Sequence, residues 1–328
     1  YVFGTGGLHA SVDHQHFVAN ETMMIADIDV AGMYPAIAIA NGYYPEHLGP
    51  TFVEVYKQVR DQRAQYKKGT PENAALKLAG NGVYGKSNDK FSIFFDPQFT
   101  MKVTLTGQLS IAMLADRLSQ VPGLTVIQCN TDGITAYLPR ANKDDFDQIC
   151  RWWEGLTKLT LEEVEYSRMF VADVNSYIAE KLDGEVKRKG RYEWDQEWHQ
   201  NDSCLVVPKV AEMHLLKGVP IAETVRNWPD IWDFLSRVKV PRSSKLHGVF
   251  PHGEYQLQNM TRYYVTTGEG CELVKIMPPL AKKPTQWRRI GVESGWKVCP
   301  CNDIRAATMP IDYSYYIREV EKLVLSMK

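Results

Sequence analysis

The chain has 328 residues, of which 44% are hydrophobic and 23% are charged, a composition that is ordinary for a soluble globular protein. The length predicts two or three subdomains. The longest apolar runs are too short to cross a bilayer, so we expect no membrane partner, and no signal peptide opens the chain. The net charge of −1 argues against a uniformly basic surface, although a local patch can still bind phosphate. Because the first residue is Tyr1, we expect a piece of a longer polypeptide.

The six cysteines include no C-x-x-C pair. This pattern argues against a zinc site and favours a reducing compartment, so we expect a cytoplasmic location.

A glycine cluster, residues 4–7, precedes the first predicted strand. Glycines let a backbone approach another backbone or a phosphate chain closely, and a flexible entry loop is an equally good interpretation. Residues 23–30 then predict a buried strand, on which Asp27 and Asp29 share one face because they are two positions apart. A carboxylate in such a strand is costly unless it is paired or bound to metal.

Two helices with polar faces follow. Residues 51–68 have helical periodicity, and Thr70 as N-cap with Pro71 at the first helical position predicts a second helix to about residue 84. Side chains at helical spacing form one face on each helix, namely Arg60, Arg63 and Lys67 on the first and Lys77, Asn81 and Tyr84 on the second. These faces could close on one polyanion, whereas solvated surface charge is the alternative for any single lysine.

The middle of the chain predicts a third helix over residues 104–120 and then a tight hairpin. Asp132-Gly133 lies between two runs of apolar strand formers, so Asp132 should sit at a rigid hairpin tip. Such an Asp-Gly pair is often only a turn, but Asp29 supplies the partner acid that a Mg²⁺ site needs. A helix over 142–156 and strands over 161–170 and 174–180 complete an α+β sheet with helices on one face.

From residue 190 onward, aromatic and basic residues are interleaved. This mixture suits a track for a nucleic-acid backbone, and a second hydrophobic core is the alternative. The residues concerned are Trp194, Trp198, His199, Trp228, Trp232, Tyr255, Tyr263 and Tyr264, with Lys209, Lys239, Arg242, Lys245 and Arg262.

Three segments, in the same order along the chain, resemble motifs of the family B DNA polymerases in a phage-type version. Residues 29–35 (DVAGMYP) are similar to D-x-x-S-L-Y-P, and residues 77–85 (KLAGNGVYG) resemble K-x-x-x-N-S-x-Y-G. Residues 128–133 (QCNTDG) resemble Y-x-D-T-D-S. Gly6-Gly7 looks like the linker motif that joins the exonuclease and polymerase domains and contacts the template.

The resemblance implies a right-hand polymerase of α+β class, with a ferredoxin-like palm sheet, two-helix fingers and a mixed thumb. The palm would comprise residues 1–50 and 88–190, the fingers 51–87 and the thumb 191–328. The implied reaction is DNA-templated DNA synthesis by two-metal nucleotidyl transfer from a dNTP to a primer 3′-hydroxyl. Its partners would be primer-template DNA and dNTPs, in a host cytoplasm if a phage encodes the chain. An exonuclease and a processivity factor would lie upstream or in a separate protein.

The same resemblance implies a role for each residue that matches a motif. Asp29, Asp132 and the Val30 carbonyl would hold two Mg²⁺ ions, with Mn²⁺ as a substitute, and Lys77 would act with the two acids in catalysis. Nucleotide binding would involve Tyr34, Arg63, Lys67, Asn81 and Tyr84. DNA binding would involve Gly6, Gly7, Gly85, Tyr177, Lys187 and Lys189.

Several positions depart from the family pattern. Gly32, Gly82 and Gly133 stand where serine is usual, and Asn130 replaces the first acid of the third motif. The K-x-Y motif appears as residues 175–177 (NSY), without its lysine. These departures bear on turnover rate more than on reaction type. Two alternatives stay open: a catalytically silent relative that binds DNA as a structural subunit, and an unrelated metal-dependent nuclease that uses Asp27, Asp29 and Asp132.

Overall fold

The computed structural model describes residues 1–195, 203–280, 286–302 and 310–327. The chain is of mixed α and β structure and divides into two compact units, Tyr1–Lys187 and Arg188–Lys328. The sheets are built from antiparallel strand pairs. The fold class predicted from the sequence, α+β, is therefore confirmed, while the palm, fingers and thumb boundaries stay predictions.

The first unit consists of one large sheet and five helices. The helices are α1 (Met33–Asn41), α2 (Thr51–Ala64), α3 (Pro71–Lys86), α4 (Pro97–Leu118) and α5 (Lys143–Thr157). The strands are β1 (Val2–Phe3), β2 (Leu8–Ser11), β3 (Gln15–Val18), β4 (Met23–Val30), β5 (Thr125–Asn130), β6 (Gly133–Pro139), β7 (Leu161–Asp173), β8 (Ser176–Lys181) and β9 (Val186–Lys189), of which the last two residues belong to the second unit. The sheet order is β1-β2-β5-β6-β4-β7-β8-β9, with β3 paired to β7.

The central strand β4 separates the two faces of this sheet. Its even-numbered residues, such as Ala26 and Ile28, are buried in a core shared with α1, α4 and α5. Its odd-numbered residue Ile25 belongs to a smaller apolar cluster, whose members come only from strands and strand connections. Because side chains alternate along a strand, Asp27 and Asp29 lie on this second face. The predicted placement of the helices on one face is confirmed, and it leaves both acids on the other.

The helix boundaries follow local signals, with two differences from the prediction. Thr70 caps α3 by accepting from the Asn73 amide, as expected, but α2 ends at Ala64 and α4 begins at Pro97 rather than residue 104. The earlier start of α4 has a local cause. The Asp96 carboxylate accepts from two amides of the first turn at 2.9 and 3.0 Å, and proline at the first helical position needs no hydrogen bond from its nitrogen.

Replacing Asp96 with alanine should lower the free energy of unfolding by about 1–2 kcal/mol. Burial opposes ionisation of Asp96, but the amides of Phe99, Glu46 and Gln98 outweigh it and lower its pKa. The contribution is therefore present above the unfolded-state pKa and is lost as the pH falls through the folded-state pKa. Urea unfolding at pH 7 and pH 3 measures this difference. Asp116→Ala, an exposed change on the same helix, is the control, and equal losses for both variants would contradict the capping role.

The second unit combines helices with two antiparallel sheets. The helices are α6 (Val206–Lys217), α7 (Ile221–Arg226) and α8 (Tyr313–Leu325). One sheet has the order β10-β13-β16 and the other β12-β11-β14-β15. The strands are β10 (Ser236–Lys239), β11 (Lys245–Phe250), β12 (Gly253–Leu257), β13 (Met260–Val265), β14 (Glu272–Met277), β15 (Arg288–Val292) and β16 (Val298–Pro300).

In the second unit, some of the aromatic and basic residues of the predicted nucleic-acid track contact one another. The Trp194 ring lies 4.2 Å from the Arg188 guanidinium, and Asp233 accepts from both Lys209 and Trp228 at 2.8 Å. Tyr263 and Tyr264 are buried. These contacts support the second-core alternative for the residues that make them, because burial is favourable when aromatic and charged groups are paired. For the exposed members of the set the nucleic-acid track stays a prediction: Trp232, Lys239, Arg242, Lys245 and Tyr255. Trp198 and His199 lie outside the described residues.

Within the described ranges, no helix combines the length and apolar character needed to span a bilayer.

Candidate active site

Asp27 is a buried carboxylate whose two oxygens both accept hydrogen bonds from protein donors. Its side chain is 4% exposed, and one oxygen accepts a 2.6 Å hydrogen bond from the Thr135 hydroxyl. The other oxygen accepts from the Tyr166 hydroxyl at 2.6 Å and from the Lys187 ammonium at 3.0 Å. These three donors compensate the desolvation of the buried charge, so Asp27 is a supporting group and is not directed at a metal.

Asp29, two residues further along β4, is open to solvent, with 45% of its side chain exposed. It pairs with Gly133 on β6 and with Glu162 on β7, so both cross-strand neighbours share its face. Burial raises the pKa of Asp29 to about 6, as do the charges of Asp27, Asp132 and Glu162, while Lys187 opposes the rise. The site therefore has an excess of negative charge, which a divalent cation would relieve.

The hairpin brings Asp132 close to Asp29. Thr131 and Asp132 are the two turn residues, and Asp132 is exposed at the tip, as expected. The Asp132 carbonyl accepts from the Val30 amide at 2.7 Å, which fixes the tip against the end of β4. Val30 itself is 4% exposed, and its side chain belongs to the hydrophobic core.

Gly133 lies in a strand of the hairpin and not in its turn. We predicted that an Asp-Gly pair forms the centre of the turn, but Gly133 is already the first residue of β6 and has no positive φ. A Cβ atom at this position would lie 1.9 Å from Oδ1 of Asp29 and 2.7 Å from the Ile28 carbonyl oxygen. Glycine is thus required because the Asp29 carboxylate occupies the space of a side chain.

Tyr34 and Tyr84 join two of the motif segments. Their rings stack at 3.8 Å with an interplanar angle of 11°. The Tyr34 hydroxyl donates to the Gly6 carbonyl at 3.1 Å, and the Tyr84 hydroxyl shares a 2.6 Å hydrogen bond with Thr104. Burial raises the pKa of Tyr34 to about 12, with further contributions from Tyr84 and Asp132. Residues 29–35 and 77–85 therefore meet beside the acids.

Arg63, a member of the predicted phosphate-binding face, lies beside the segment that follows Asp29. Its Nε donates to Asn73 at 3.4 Å, and its Nη1 lies 3.8 Å from the Cβ position of Gly32. Asn73 is 7% exposed and also donates to the Tyr66 carbonyl at 2.9 Å. The sequence did not single out Asn73, because its importance depends on how the two helices meet. Lys67 was predicted on the same helical face, but it lies beyond the end of α2 at Ala64 and is exposed. The predicted residues on α3 that are exposed are Lys77, Asn81 and Gly85.

The glycine cluster forms a fixed loop against the hairpin. The buried Gln108 side chain donates to the carbonyls of Gly4 and Gly7 at 2.6 and 3.1 Å. A Cβ atom on Gly7 would lie 2.5 Å from the Thr131 hydroxyl oxygen, so the backbone there packs directly on the Thr131 side chain of the hairpin turn. These contacts support a close approach of the glycine backbone to a neighbouring segment rather than a flexible entry loop.

Changing Gln108 to leucine should loosen this loop. The variant keeps the volume but removes the side-chain donor from both carbonyls, and the Gly7 carbonyl keeps only its 2.9 Å hydrogen bond from the Gly4 amide, so we expect a cost of about 1 kcal/mol. We expect faster amide hydrogen exchange in residues 4–8 and little change in β4. Leu109→Gln, on the exposed side of the same helix, is the matched control. Unchanged exchange in the loop would contradict the role of Gln108.

Three predicted DNA-binding residues lie near the β7–β9 strands. Tyr177 is 2% exposed, and its ring centroid is 5.9 Å from the Lys187 ammonium. Lys187 itself is bonded to Asp27. Burial alone would lower the pKa of Lys187, but Asp27 and the neighbouring tyrosines raise it above its usual value. Lys189 is exposed within the second unit. A contact between any of them and DNA stays a prediction.

Two carboxylates, rather than a larger cluster, define the candidate metal centre. Across the described parts of the chain, no group of three or more His, Cys, Asp or Glu residues is arranged to hold a metal ion. Mg²⁺ often takes one or two carboxylates and completes its shell with backbone carbonyls, water and substrate phosphates. Asp29, Asp132 and the Val30 carbonyl offer only oxygen donors, so they fit a hard divalent cation.

Comparison with known proteins identifies the fold. No protein-family model and no curated protein matches the sequence. The structure of the family B DNA polymerase from the hyperthermophilic archaeon Pyrobaculum calidifontis is similar over 98% of this chain, with a TM-score of 0.54 and 14% sequence identity. This chain spans 46% of that polymerase chain. The likeness shows an α+β fold of the polymerase type.

Proposed function

We propose that this chain catalyses DNA-templated DNA synthesis, in which a nucleotide is transferred from a dNTP to a primer 3′-hydroxyl. The main support for this proposal is that the three motif segments, residues 29–35, 77–85 and 128–133, contact one another in the structure. Asp29 of the first segment packs on Gly133 of the third, and Tyr34 of the first stacks on Tyr84 of the second. The likeness of the fold to a family B DNA polymerase supports the same reaction class.

In this proposal Asp29, Asp132 and the Val30 carbonyl hold two Mg²⁺ ions. When bound, such ions activate the attacking hydroxyl and neutralise the triphosphate, and Mn²⁺ can replace them. The two carboxylates are carried by a central strand and a tied hairpin, so little reorganisation is needed for them to bind cations.

The chain's own side chains would bind and orient the nucleotide. Arg63, Lys67 and Lys77 supply positive charge for the triphosphate, as in other phosphoryl-transfer sites. The stacked ring of Tyr34 forms a rigid wall against the sugar, and Asn81 with Tyr84 borders the nascent base pair. Palm, fingers and thumb would then correspond to the predicted segments.

DNA would be held by the fixed glycine loop and by the strands after β7. Gly6 and Gly7 present backbone near the hairpin, and Gly85 lies exposed on α3. Lys189 and the neighbouring basic residues would contact the duplex backbone, which is an electrostatic and salt-dependent interaction.

A primer-extension assay tests the proposal. A labelled primer annealed to a longer template should lengthen only when Mg²⁺ or Mn²⁺ and the dNTPs complementary to the template are present. A template-independent product, or no product with either metal, would overturn the proposal.

The same assay separates the two alternative functions. The silent relative is favoured by Asn130, and it would retard DNA in a gel without adding any nucleotide. The nuclease would shorten the labelled strand without dNTPs. The nuclease also needs Asp27 as a metal ligand, whereas both oxygens of Asp27 already accept hydrogen bonds from protein donors.

A further inference from the structure

Lys187 lies at the centre of a polar cluster on the strand face that carries the acids. Its ammonium is 3.0 Å from Oδ2 of Asp27 and 3.9 Å from Oδ2 of Asp29. The rings of Tyr166 and Tyr177 each have their centroid 5.9 Å from the same nitrogen. Only 30% of the lysine side chain is exposed, so its position is set by these four neighbours.

Asp27 fixes the lysine and is itself fixed. Its Oδ2 accepts from Lys187 and from the Tyr166 hydroxyl, and its Oδ1 accepts from Thr135. The carboxylate therefore cannot rotate without losing buried hydrogen bonds, each of which is costly to leave unmade. A rigid anchor of this kind gives the ammonium a single well-defined place.

The Asp29 carboxylate has a different neighbour at each oxygen. Its Oδ2 lies 3.9 Å from the ammonium of Lys187. Its Oδ1 occupies the space that a side chain of residue 133 would fill, so glycine there admits this orientation. The charge of Lys187 therefore favours one orientation of a carboxylate that is otherwise open to solvent, and an orientation that is set before a ligand arrives lowers the cost of binding.

We propose that Lys187, anchored by Asp27, is a positioning residue that orients the Asp29 carboxylate for the metal ions. The proposal rests on the proposed function for its kinetic consequences, and it replaces the predicted contact between Lys187 and DNA. The ammonium is also a fixed positive charge beside the cation site. It therefore lowers the affinity of Asp29 and Asp132 for divalent cations while it keeps the Asp29 carboxylate in place.

The variant Lys187→Met distinguishes this role from a purely structural one. Two quantities are measured, the affinity for Mn²⁺ and the kcat for primer extension. First, Mn²⁺ binding to the free protein, followed by electron paramagnetic resonance, should become about 3- to 10-fold tighter because an opposing charge is gone. Second, kcat for primer extension should fall about 10- to 100-fold because the carboxylate is no longer held. The Kd for primer-template DNA should change less than about 3-fold, as Lys187 is not a DNA contact in this proposal.

Three further variants make the test specific. Lys187→Arg keeps the charge and should bind Mn²⁺ within about 2-fold of the wild type. Asp27→Asn frees the ammonium to pair directly with Asp29, so Mn²⁺ binding should weaken. Asp27→Asn combined with Lys187→Met removes both charges and should restore wild-type Mn²⁺ affinity with kcat still reduced. This double variant still tests the proposal if Lys187→Met alone does not fold, because it leaves no uncompensated buried charge.

Three results would overturn the proposal. One is a tenfold weaker Kd for DNA in Lys187→Met with unchanged kcat and Mn²⁺ affinity, which would make Lys187 a DNA contact. Another is a loss of Mn²⁺ affinity in the double variant as large as that in Asp29→Ala, which would make Asp27 a ligand. The third is a kcat for the double variant equal to that of the wild type. Absence of extension by the wild type would instead refute the proposed function, and the Mn²⁺ measurements would still test the anchoring of Asp29.

Discussion

Replacing Asp29 with alanine is expected to lower the rate of primer extension by at least about 10³-fold, which corresponds to roughly 4 kcal/mol of transition-state stabilisation. The reason is that Asp29 lies on the central strand β4 and contacts both Gly133 of the hairpin and Lys187. Binding of primer-template DNA should be largely unchanged, because the variant removes no basic side chain. Single-turnover extension and a gel-shift titration measure the two effects.

The same variant should be more stable than the wild type. The folded-state pKa of Asp29 is raised from 3.8 to about 6, so the folded state binds more protons than the unfolded state between these values. Stability is therefore lost as the pH rises through this window. Removing the group should recover about 1 kcal/mol at pH 7, a modest amount because the half-exposed carboxylate is screened by solvent.

Asp145→Ala, an exposed acid on α5, is the control and should leave the extension rate unchanged. Extension by Asp29→Ala at the wild-type rate would remove Asp29 from the catalytic centre. A large loss of stability in that variant would show that its carboxylate supports the fold rather than the reaction.

Gly133→Ala is expected to have the second largest effect. The new methyl group would overlap Oδ1 of Asp29 and press on the Ile28 carbonyl, so either the carboxylate or the hairpin must move. We expect extension to fall about 10- to 100-fold, because a shift of about 1 Å at a reacting group has this effect. The free energy of unfolding should fall by about 1–3 kcal/mol from overpacking.

Gly133→Ser should behave like Gly133→Ala, although the family that the sequence resembles has serine at this position. Gly155→Ala is the matched control, since nothing lies within 4 Å of its Cβ position, and it should stabilise α5 by up to about 1 kcal/mol. Wild-type extension by both Gly133 variants would show that the Asp29 carboxylate has another productive orientation.

Local sequence patterns were sufficient to predict the secondary-structure elements on which the candidate site lies. Strand β4 has the bounds predicted from its run of apolar residues, and Thr70 caps α3 as its side chain suggested. Asp132 lies at the tip of the hairpin. Each of these features depends on residues a few positions apart, which is the range over which patterning and capping act.

Features that depend on strand pairing could not be predicted in this way. Glu162 lies opposite Asp29 only because β7 pairs with β4 in one register. Lys187 reaches Asp27 across 160 positions of sequence, so no local pattern predicts this ion pair. Gln108 became important only once α4 was packed against the glycine loop. The departures at Asn130 and Gly133 could be seen in the sequence, but their effect depends on neighbouring strands.

The aromatic residues after residue 190 illustrate the same limit. Tryptophans near lysines and arginines are typical of nucleic-acid tracks, and equally of a core in which each indole N–H and each charge finds a partner. The Trp228 and Lys209 bonds to Asp233 show the second case. Composition alone could not separate the two, because the distinction lies in which residues meet.

The most direct measurement of the central claim is the position of bound Mn²⁺ in crystals grown with primer-template DNA and a non-hydrolysable dNTP. We predict two anomalous-scattering peaks about 3.5–4 Å apart, both coordinated by Asp29 and Asp132. A peak bound by Asp27, or the absence of any peak between Asp29 and Asp132 in a crystal that contains both substrates, would contradict a two-metal centre at this place.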